Sequence, residues 1–447
     1  MKTSTMNKTL LLGAAIAAAL SASPALAANS AFGCKHLEDN PTLPSVEGRD
    51  GFFFRIFADL RMQHPFTEDT VAQMAKLAEA LKAHGTTMLY VPIPTKSVTL
   101  PTFLPDEAKL FGFDEDVAVA VYEDQVARLN AKGVIAVDLL SALRTTNGGD
   151  PPFFRSDFHW TSRGAETAAQ TIGGMIKQLP AYADVTPVTY ETKATGAELA
   201  VSGMRRTLQA YCVLSLPPVI STSYETVEVA SADASLDIFG DSGGGEAEGA
   251  TNDEIALVGT SFSDALVPNF SGFLAQYASL PVANMAITGG NQFGAITSYL
   301  TSREFQADRP KFLVWENPIY NNLAQFGTGS LTELIAAARN DCQPVGKAPV
   351  IDKAKGLYQA DLTGTPIAPN QVLLADAGDN GSRDVVLNFE SADGRTFTRE
   401  VHRGDRFRGT GRFFIPLESL DSLELSKVSI QFDRLSEEKA AISLCNT

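Results

Sequence analysis

The stretch Ile255-Ala256-Leu257-Val258-Gly259-Thr260-Ser261-Phe262-Ser263-Asp264 decides how this chain is read. Four consecutive apolar residues are the pattern of a strand buried on both faces. Gly259 then ends the strand in a tight turn, and a serine stands on that turn. A hydroxyl on the turn leaving a buried strand is held rigidly over a crevice, and its own N–H can point at an oxyanion. Gly-Thr-Ser also fits an ordinary turn, so the serine gains meaning only from its surroundings.

Outward from this point, residues 50–345 alternate helical and strand patterns. Residues 70–84 place Val71, Met74, Leu77 and Leu81 at helical spacing, and Gly85 follows as a stop signal. Residues 88–92 read as a strand, 117–131 as a helix and 133–138 as a second buried strand. Residues 165–179 read as a helix with Thr161 or Ser162 available as its N-cap. After Val258 come strands over 282–287 and 311–315. Strands separated by helices predict an α/β fold, a parallel sheet flanked by helices. In such sheets sites form at the carboxyl ends of the strands, which is where Ser261 falls.

Residues 183–249 are less regular, and the run 230–250, rich in Ser, Gly, Asp and Glu, reads as a flexible surface loop. Beyond this the texture changes. Residues 372–375, 385–390, 413–417 and 428–433 are short β-branched or aromatic runs, with Asp393-Gly394 as a hairpin turn. They predict a small β-sandwich over 346–447, behind an α/β unit over 28–345.

Composition narrows the function classes. Hydrophobic content of 44% and charged content of 20% belong to an ordinary globular protein. A formal net charge of −16 argues against a nucleic-acid partner, because phosphate binding needs a basic face. Lys2 and Lys8, an apolar run over 10–20 and the small-residue site Ala25-Leu26-Ala27 read as a secretory signal (residues 1–27) cleaved after Ala27. A soluble protein outside the cytoplasm, in the periplasm, is therefore expected; the alternative is an uncleaved anchor. Cys34, Cys212, Cys342 and Cys445 lack metal-ligand spacing, and an oxidising compartment favours disulfides. Of the three pairings, Cys34–Cys212 and Cys342–Cys445 are preferred because each bridge then stays inside one unit. Each closes a long loop, worth up to roughly 4–5 kcal/mol.

The second informative stretch is Arg155-Ser156-Asp157-Phe158-His159-Trp160-Thr161. A carboxylate and an imidazole two positions apart can share one side of a turn. One ring nitrogen is then held and the other left free, which fixes the tautomer and stabilises the imidazolium. The plainer reading has Asp157 capping locally while His159 packs beside Trp160. With Ser261, these residues supply the groups that activate a hydroxyl for acyl transfer. Gly240-Asp241-Ser242-Gly243-Gly244 resembles the nucleophile region of chymotrypsin-like proteases and the first motif of the GDSL esterases. Residues 236–239 make a poor buried strand, however, and the chymotrypsin-like fold is all-β, so Ser242 is set aside.

Five landmarks complete the reading: Glu47-Gly48-Arg49-Asp50-Gly51-Phe52, Val91-Pro92-Ile93-Pro94-Thr95-Lys96, Asp157-Phe158-His159-Trp160-Thr161, Val258-Gly259-Thr260-Ser261 and Trp315-Glu316-Asn317-Pro318. Together, over 46–322, they resemble the SGNH-hydrolase-like domain of the AlgX/AlgJ family of alginate O-acetyltransferases. In that family the Asp-x-His pair precedes the serine, as it does here. The C-terminal module and four cysteines resemble the AlgX branch, in which the module binds carbohydrate.

The resemblance implies Ser261 as nucleophile, His159 as base and Asp157 as its orienter. It implies the Ser261 N–H and a backbone N–H at Gly289 or Gly290 as oxyanion donors, with Asn291 a further candidate; a plain turn at Gly289-Gly290 is the competing reading. No metal or bound cofactor is implied. The implied partners are a polysaccharide acceptor, a membrane-bound acyltransferase that passes the acetyl group across, and a polysaccharide secretion complex.

The C-terminal module departs from the usual sugar-binding pattern, because Trp160 and Trp315 both lie outside it. It offers Arg395, Arg399, Arg403, Arg406, Arg408 and Arg412, with Phe397 and Phe407 interleaved. Guanidinium groups pair bidentately with carboxylates, so a groove for a uronate polymer is one reading. A solvated face diluted by Asp393, Glu400 and Asp405 is the other, which leaves neutral and basic glycans open. Acetyl transfer to an exported polysaccharide is the leading expectation. An acetylesterase and a non-catalytic polysaccharide-binding scaffold are the alternatives.

Overall fold

A computed structural model describes residues 30–62, 64–146, 149–229, 252–418, 420 and 422–447. The apolar run that ends at Ser261 is the strand Asn252–Val258, with Ile255 through Val258 fully buried. It pairs in parallel with Pro310–Pro318 on one side and Val282–Asn284 on the other. Pro310–Pro318 pairs with Thr87–Ile93, which pairs with Ile135–Ala136, so all five strands of the sheet run the same way. The edge strand is much shorter than the predicted 133–138, because only Leu89 and Tyr90 offer it backbone partners.

Helices flank this sheet. Glu68–Lys82 starts where the Thr67 hydroxyl accepts from the Thr70 N–H and buries Val71, Met74, Leu77 and Leu81. Ser162–Ile176 is capped by Thr161, whose side chain accepts from the Gly164 N–H. Both are shifted two or three residues upstream of the predicted ranges, since the periodic apolar positions begin only after the cap. No helix among the described residues is long and apolar enough to cross a membrane.

The segment read as irregular holds an antiparallel hairpin, Tyr190–Leu199 with Ile220–Glu228, and a short helix, Gly203–Gln209. The first strand of the hairpin has no buried residue. Without a buried face there is no alternation for sequence reading to detect. Residues 230–250, read as a loop, fall within 230–251, which lie outside the described residues.

Two antiparallel sheets follow. One has the order Cys342–Pro344, Ala441–Asn446, Gln371–Asp376, Arg412–Pro416; the other has Lys347–Asp352, Leu357–Asp361, Leu425–Phe432, Asp384–Ser391, Thr396–His402. In Asp384–Ser391, Val385, Leu387, Phe389 and Ser391 are buried and alternate with partly or fully exposed residues, as a sandwich requires. The first sandwich strand begins at Cys342, a few residues ahead of the boundary drawn after 345. Cys342 and Cys445 are directly opposed on neighbouring strands and disulfide-bonded, and Cys34 is bonded to Cys212.

The sandwich has a core of its own, and part of it also joins the core of the first unit. Val372, Leu374, Phe414 and Cys445 of the sandwich join the cluster that includes Leu331, Leu334 and Ile335 of the helix Gly329–Arg339. Arg403 of the sandwich pairs with Glu333 of the same helix.

Candidate active site

Ser261 is the first residue of a one-turn helix, Ser261–Asp264, entered through Thr260, whose hydroxyl accepts from the Phe262 N–H. The first N–H groups of a helix have no intrahelical acceptor, so the Ser261 N–H is available to a ligand. The Ser261 hydroxyl donates to His159 Nε2 at 2.7 Å, and His159 Nδ1–H donates to Asp157 Oδ1 at 2.6 Å. The tautomer follows from chemistry: an ionised carboxylate only accepts, so the ring proton sits on Nδ1 and Nε2 is the acceptor.

The two loops are tied to each other as well. The Trp160 indole N–H donates to the Phe262 carbonyl at 2.9 Å. His159 lies between Phe158 and Phe262, with ring centroids at 4.0 and 4.9 Å. Behind Phe158 stands the Arg55 guanidinium, 4.0 Å from that ring and paired with buried Asp59. The imidazole therefore has little freedom to turn.

Asp157 is 3% exposed. Burial pushes its pKa up, but hydrogen bonds and charge from His159, with a hydrogen bond from Ser202, outweigh this and hold the carboxyl at about 2. Oδ1 also accepts from the His159 N–H at 2.8 Å, and Oδ2 accepts from the Ser202 hydroxyl. Its backbone carbonyl accepts from Lys96 Nζ at 2.9 Å, and the same ammonium donates to the carbonyls of Arg155 and Phe53. Lys96 is 1% exposed.

Glu316 supports the serine turn from below. Fully buried at the end of the strand Pro310–Pro318, it accepts from the Thr260 N–H at 2.7 Å and from the hydroxyls of Thr260 and Ser263. A Cβ on Gly259 would lie 2.4 Å from Glu316 Oε2, so this close approach requires glycine.

Burial pushes the Glu316 carboxyl up to about 7 from its ordinary value of 4.5, against the hydrogen bonds from Thr260 and Ser263. Between those pH values the native carboxyl keeps a proton that the unfolded chain has released, so stability falls as pH rises through that window. Glu316→Gln cannot ionise. Its thermal midpoint is expected to match the wild type near pH 4 and to lie above it near pH 8. Parallel midpoint curves for the two proteins across that range would contradict this assignment.

The loop carrying Gly289, Gly290 and Asn291 is bound to the serine turn. The Ile287 N–H donates to the Gly259 carbonyl at 3.0 Å, and Thr288 donates to Asp264 Oδ2 through both its N–H and its hydroxyl. The Gly290 N–H donates to Ile287 O at 3.0 Å and so closes a turn, which removes it as an oxyanion donor. Gly289 and Asn291 are exposed, both at positive φ.

The arginines of the module divide. Arg403 is 3% exposed, bound to Glu333 and Thr410 with its guanidinium 4.6 Å from the Phe413 ring, so it anchors the two units together and is closed to a polymer. Arg395 pairs with Asp393, and Arg399 donates to the carbonyls of Thr398 and Glu418. Arg406 and Arg408 instead meet the first unit. Arg406 lies against Gly289, and the Arg408 N–H donates to Ser298 Oγ at 3.0 Å. Neither has a carboxylate partner among the described residues. Ser242 lies outside the described residues.

Lys96, Ser202 and Glu316 carry roles that sequence reading did not give them. An acid closing the apolar run 312–315 was a usable signal for Glu316, and a lysine just past a buried strand was a weaker one for Lys96. Ser202 gave none, because its partner is distant in sequence.

A parallel sheet flanked by helices, with this serine at a strand's carboxyl end, is the arrangement expected of the SGNH-hydrolase-like class. Within that class the chain belongs to the AlgX family: residues 46–319 match the family described as SGNH hydrolase-like domain, acetyltransferase AlgX. The alginate biosynthesis protein AlgX of Pseudomonas aeruginosa is 30% identical over 302 residues, 68% of this chain and 61% of that protein. The probable alginate O-acetylase AlgJ of the same organism is 30% identical over 300 residues, 61% of this chain and 72% of that protein. Thus the chain spans about three-fifths of the AlgX relative's length. Among solved structures, P. aeruginosa AlgX superimposes with a TM-score of 0.73 at 21% identity, covering 93% of this chain and 96% of its own. The O-acetyltransferase domain of Pseudomonas putida AlgJ gives a TM-score of 0.51 at 23% identity, covering 65% and 98%.

Proposed function

We propose that this protein O-acetylates an exported, acidic polysaccharide through an acetyl-Ser261 intermediate. The observation that carries the reading is the unbroken hydrogen-bond line from Asp157 through His159 to Ser261 Oγ. In the first half-reaction His159 Nε2 takes the hydroxyl proton as Oγ attacks the acetyl carbonyl; the donor's bond to the acetyl group breaks and the leaving group takes that proton. In the second, a sugar hydroxyl gives its proton to His159 and attacks the acetyl ester, and the proton returns to Ser261. Asp157 stays ionised and stabilises the imidazolium in both. The Ser261 N–H and a backbone N–H at Gly289 are the oxyanion donors, worth about 3–4 kcal/mol each.

The named relatives, AlgX in alginate biosynthesis and AlgJ as a probable alginate O-acetylase, support a uronate polymer as acceptor. A signal over 1–27, an α/β catalytic domain over 28–345, a carbohydrate-binding sandwich over 346–447 and two disulfides fit work in the periplasm. There a membrane-bound acyltransferase would supply the acetyl group and a secretion complex would present the polymer. The direct test is mass spectrometry after incubation with an activated acetyl ester. An acetyl group on the peptide containing Ser261 is expected; an unmodified peptide at full exposure to the ester would end this reading.

The acceptor path runs along Arg406 and Arg408, beside a cleft of about 200 Å³ lined by Met285, Ser298, Tyr299, Arg303 and Arg408. The Arg406→Ala/Arg408→Ala double variant is expected to take up acetyl at the wild-type rate. Its transfer to a uronate oligosaccharide should fall about tenfold, and transfer to a neutral one should hold. Equal transfer of both acceptors by variant and wild type would remove the uronate from the proposal.

A further inference from the structure

Asp157 makes an asymmetric set of bonds. Both donors on Oδ1 come from His159 itself, and Oδ2 has one donor, the hydroxyl of Ser202. A carboxylate gripped through a single oxygen can rotate about its own bond and carry the imidazole with it. The second oxygen therefore sets the plane, and in a site 3% exposed no bulk water replaces a missing donor without cost.

Ser202 is itself held firmly. It is the N-cap of Gly203–Gln209, its oxygen accepting from the Arg205 N–H at 2.9 Å. Met204 and Leu208 of that helix pack with Leu37, Phe53 and Leu216 in a small separate core. Just past the helix, Cys212 is bonded to Cys34. Around the bridge the Lys35 N–H donates to Tyr211 O, and the Val213 and Leu214 N–H groups to Phe32 O. On the other side, Arg205 Nε and the Ser156 hydroxyl both donate to the Pro217 carbonyl, which ties the helix to the loop that carries Asp157.

We propose that Ser202 is a positioning residue for acyl transfer, fixing the plane of the Asp157 carboxylate from a helix that the Cys34–Cys212 bridge pins in place. The inference rests on the acyl-transfer reading above and adds to it a fourth side chain and a covalent tether. Losing a hydrogen bond to a charged group corresponds to a fall of about 10- to 100-fold in rate.

The test measures kcat and KM for transfer from an activated acetyl ester, using the full chain. Ser202→Ala is expected to lower kcat by that factor and leave KM for the ester unchanged. Ser202→Thr, which keeps the hydroxyl, restores most of the rate. Ser202→Gly, which caps a helix nearly as well as serine but has no hydroxyl, is as slow as Ser202→Ala and decides the matter if the alanine variant folds poorly. The Cys34→Ser/Cys212→Ser variant also loses kcat, and adding Ser202→Ala to it costs less than the product of the separate losses.

Wild-type kcat in Ser202→Ala or Ser202→Gly overturns the assignment of Ser202. Strictly multiplicative losses overturn the link to the bridge. A wild type that takes up no acetyl at all overturns the acyl-transfer reading, and this inference with it; acylation of the wild type separates the two failures.

Discussion

Ser261→Ala is expected to take up no acetyl group and to lower kcat for transfer by at least about 10⁴-fold, while its unfolding free energy stays within about 1 kcal/mol of the wild type. The first part follows because no other hydroxyl is in line with His159 Nε2 among the described residues. The second follows because, among the described residues, the Ser261 side chain hydrogen-bonds only to His159, so the turn survives its loss. The strand-side contacts of that turn run through Thr260 and Ser263 to Glu316 and do not involve Ser261. His159→Ala should be nearly as slow, and the double variant no slower than Ser261→Ala, because residues acting as one unit do not add. Residual transfer within tenfold of wild type in Ser261→Ala, read as acetate on isolated oligosaccharide, would place the chemistry elsewhere.

Lys96→Met should be the most destabilising single change at the site, by about 3–5 kcal/mol. The ammonium is buried and holds three carbonyls, those of Phe53, Arg155 and Asp157, from two separate segments. Burial pulls its pKa down to about 7, opposed by the charges of Asp59 and Asp157. Methionine fills much the same volume, so little of the loss is a cavity. What remains is two buried carbonyls, those of Phe53 and Asp157, without a donor, since the Arg155 carbonyl keeps the Phe53 N–H, and Asp157 without the ammonium's field, since Asp59 keeps Arg55. Acetyl transfer should fail in parallel, since the Asp157 loop loses its tether. Urea unfolding measures the first effect. A loss below about 1 kcal/mol with full activity would mean that the carbonyls find other donors.

The fold was legible wherever burial imposes a period. Residues 255–258 form a strand buried on both faces, and the apolar positions of 70–84 define one helical stripe. The hairpin Tyr190–Leu199 with Ile220–Glu228 escaped because neither strand has a consistently buried face. Ser261, His159 and Asp157 could be named because each belongs to a compact local motif, and the structure brings them into one line. Arg403 misled because an arginine in a polar cluster reads the same whether it faces solvent or a half-buried glutamate of the other unit. Gly290 had two open readings, an oxyanion donor or a plain turn, and its N–H closes the turn. Ser202 could not be found at all: its tie to Asp157 depends on how a helix from an apparently shapeless segment docks.

The helix Gly329–Arg339 lies in the first unit's core, where Val372, Leu374 and Phe414 of the sandwich pack into the same cluster and Arg403 pairs with Glu333. The reach from the guanidinium rim at Arg406 and Arg408 to the serine is therefore set by side-chain packing, where a linker would leave it variable. If the proposed polymer is gripped at that rim, its hydroxyls would be offered at one constant offset, much as a jig holds work beneath a drill. Spacing of acetyl groups along the product would then be a property of the protein's own dimensions, independent of how fast the chain is fed.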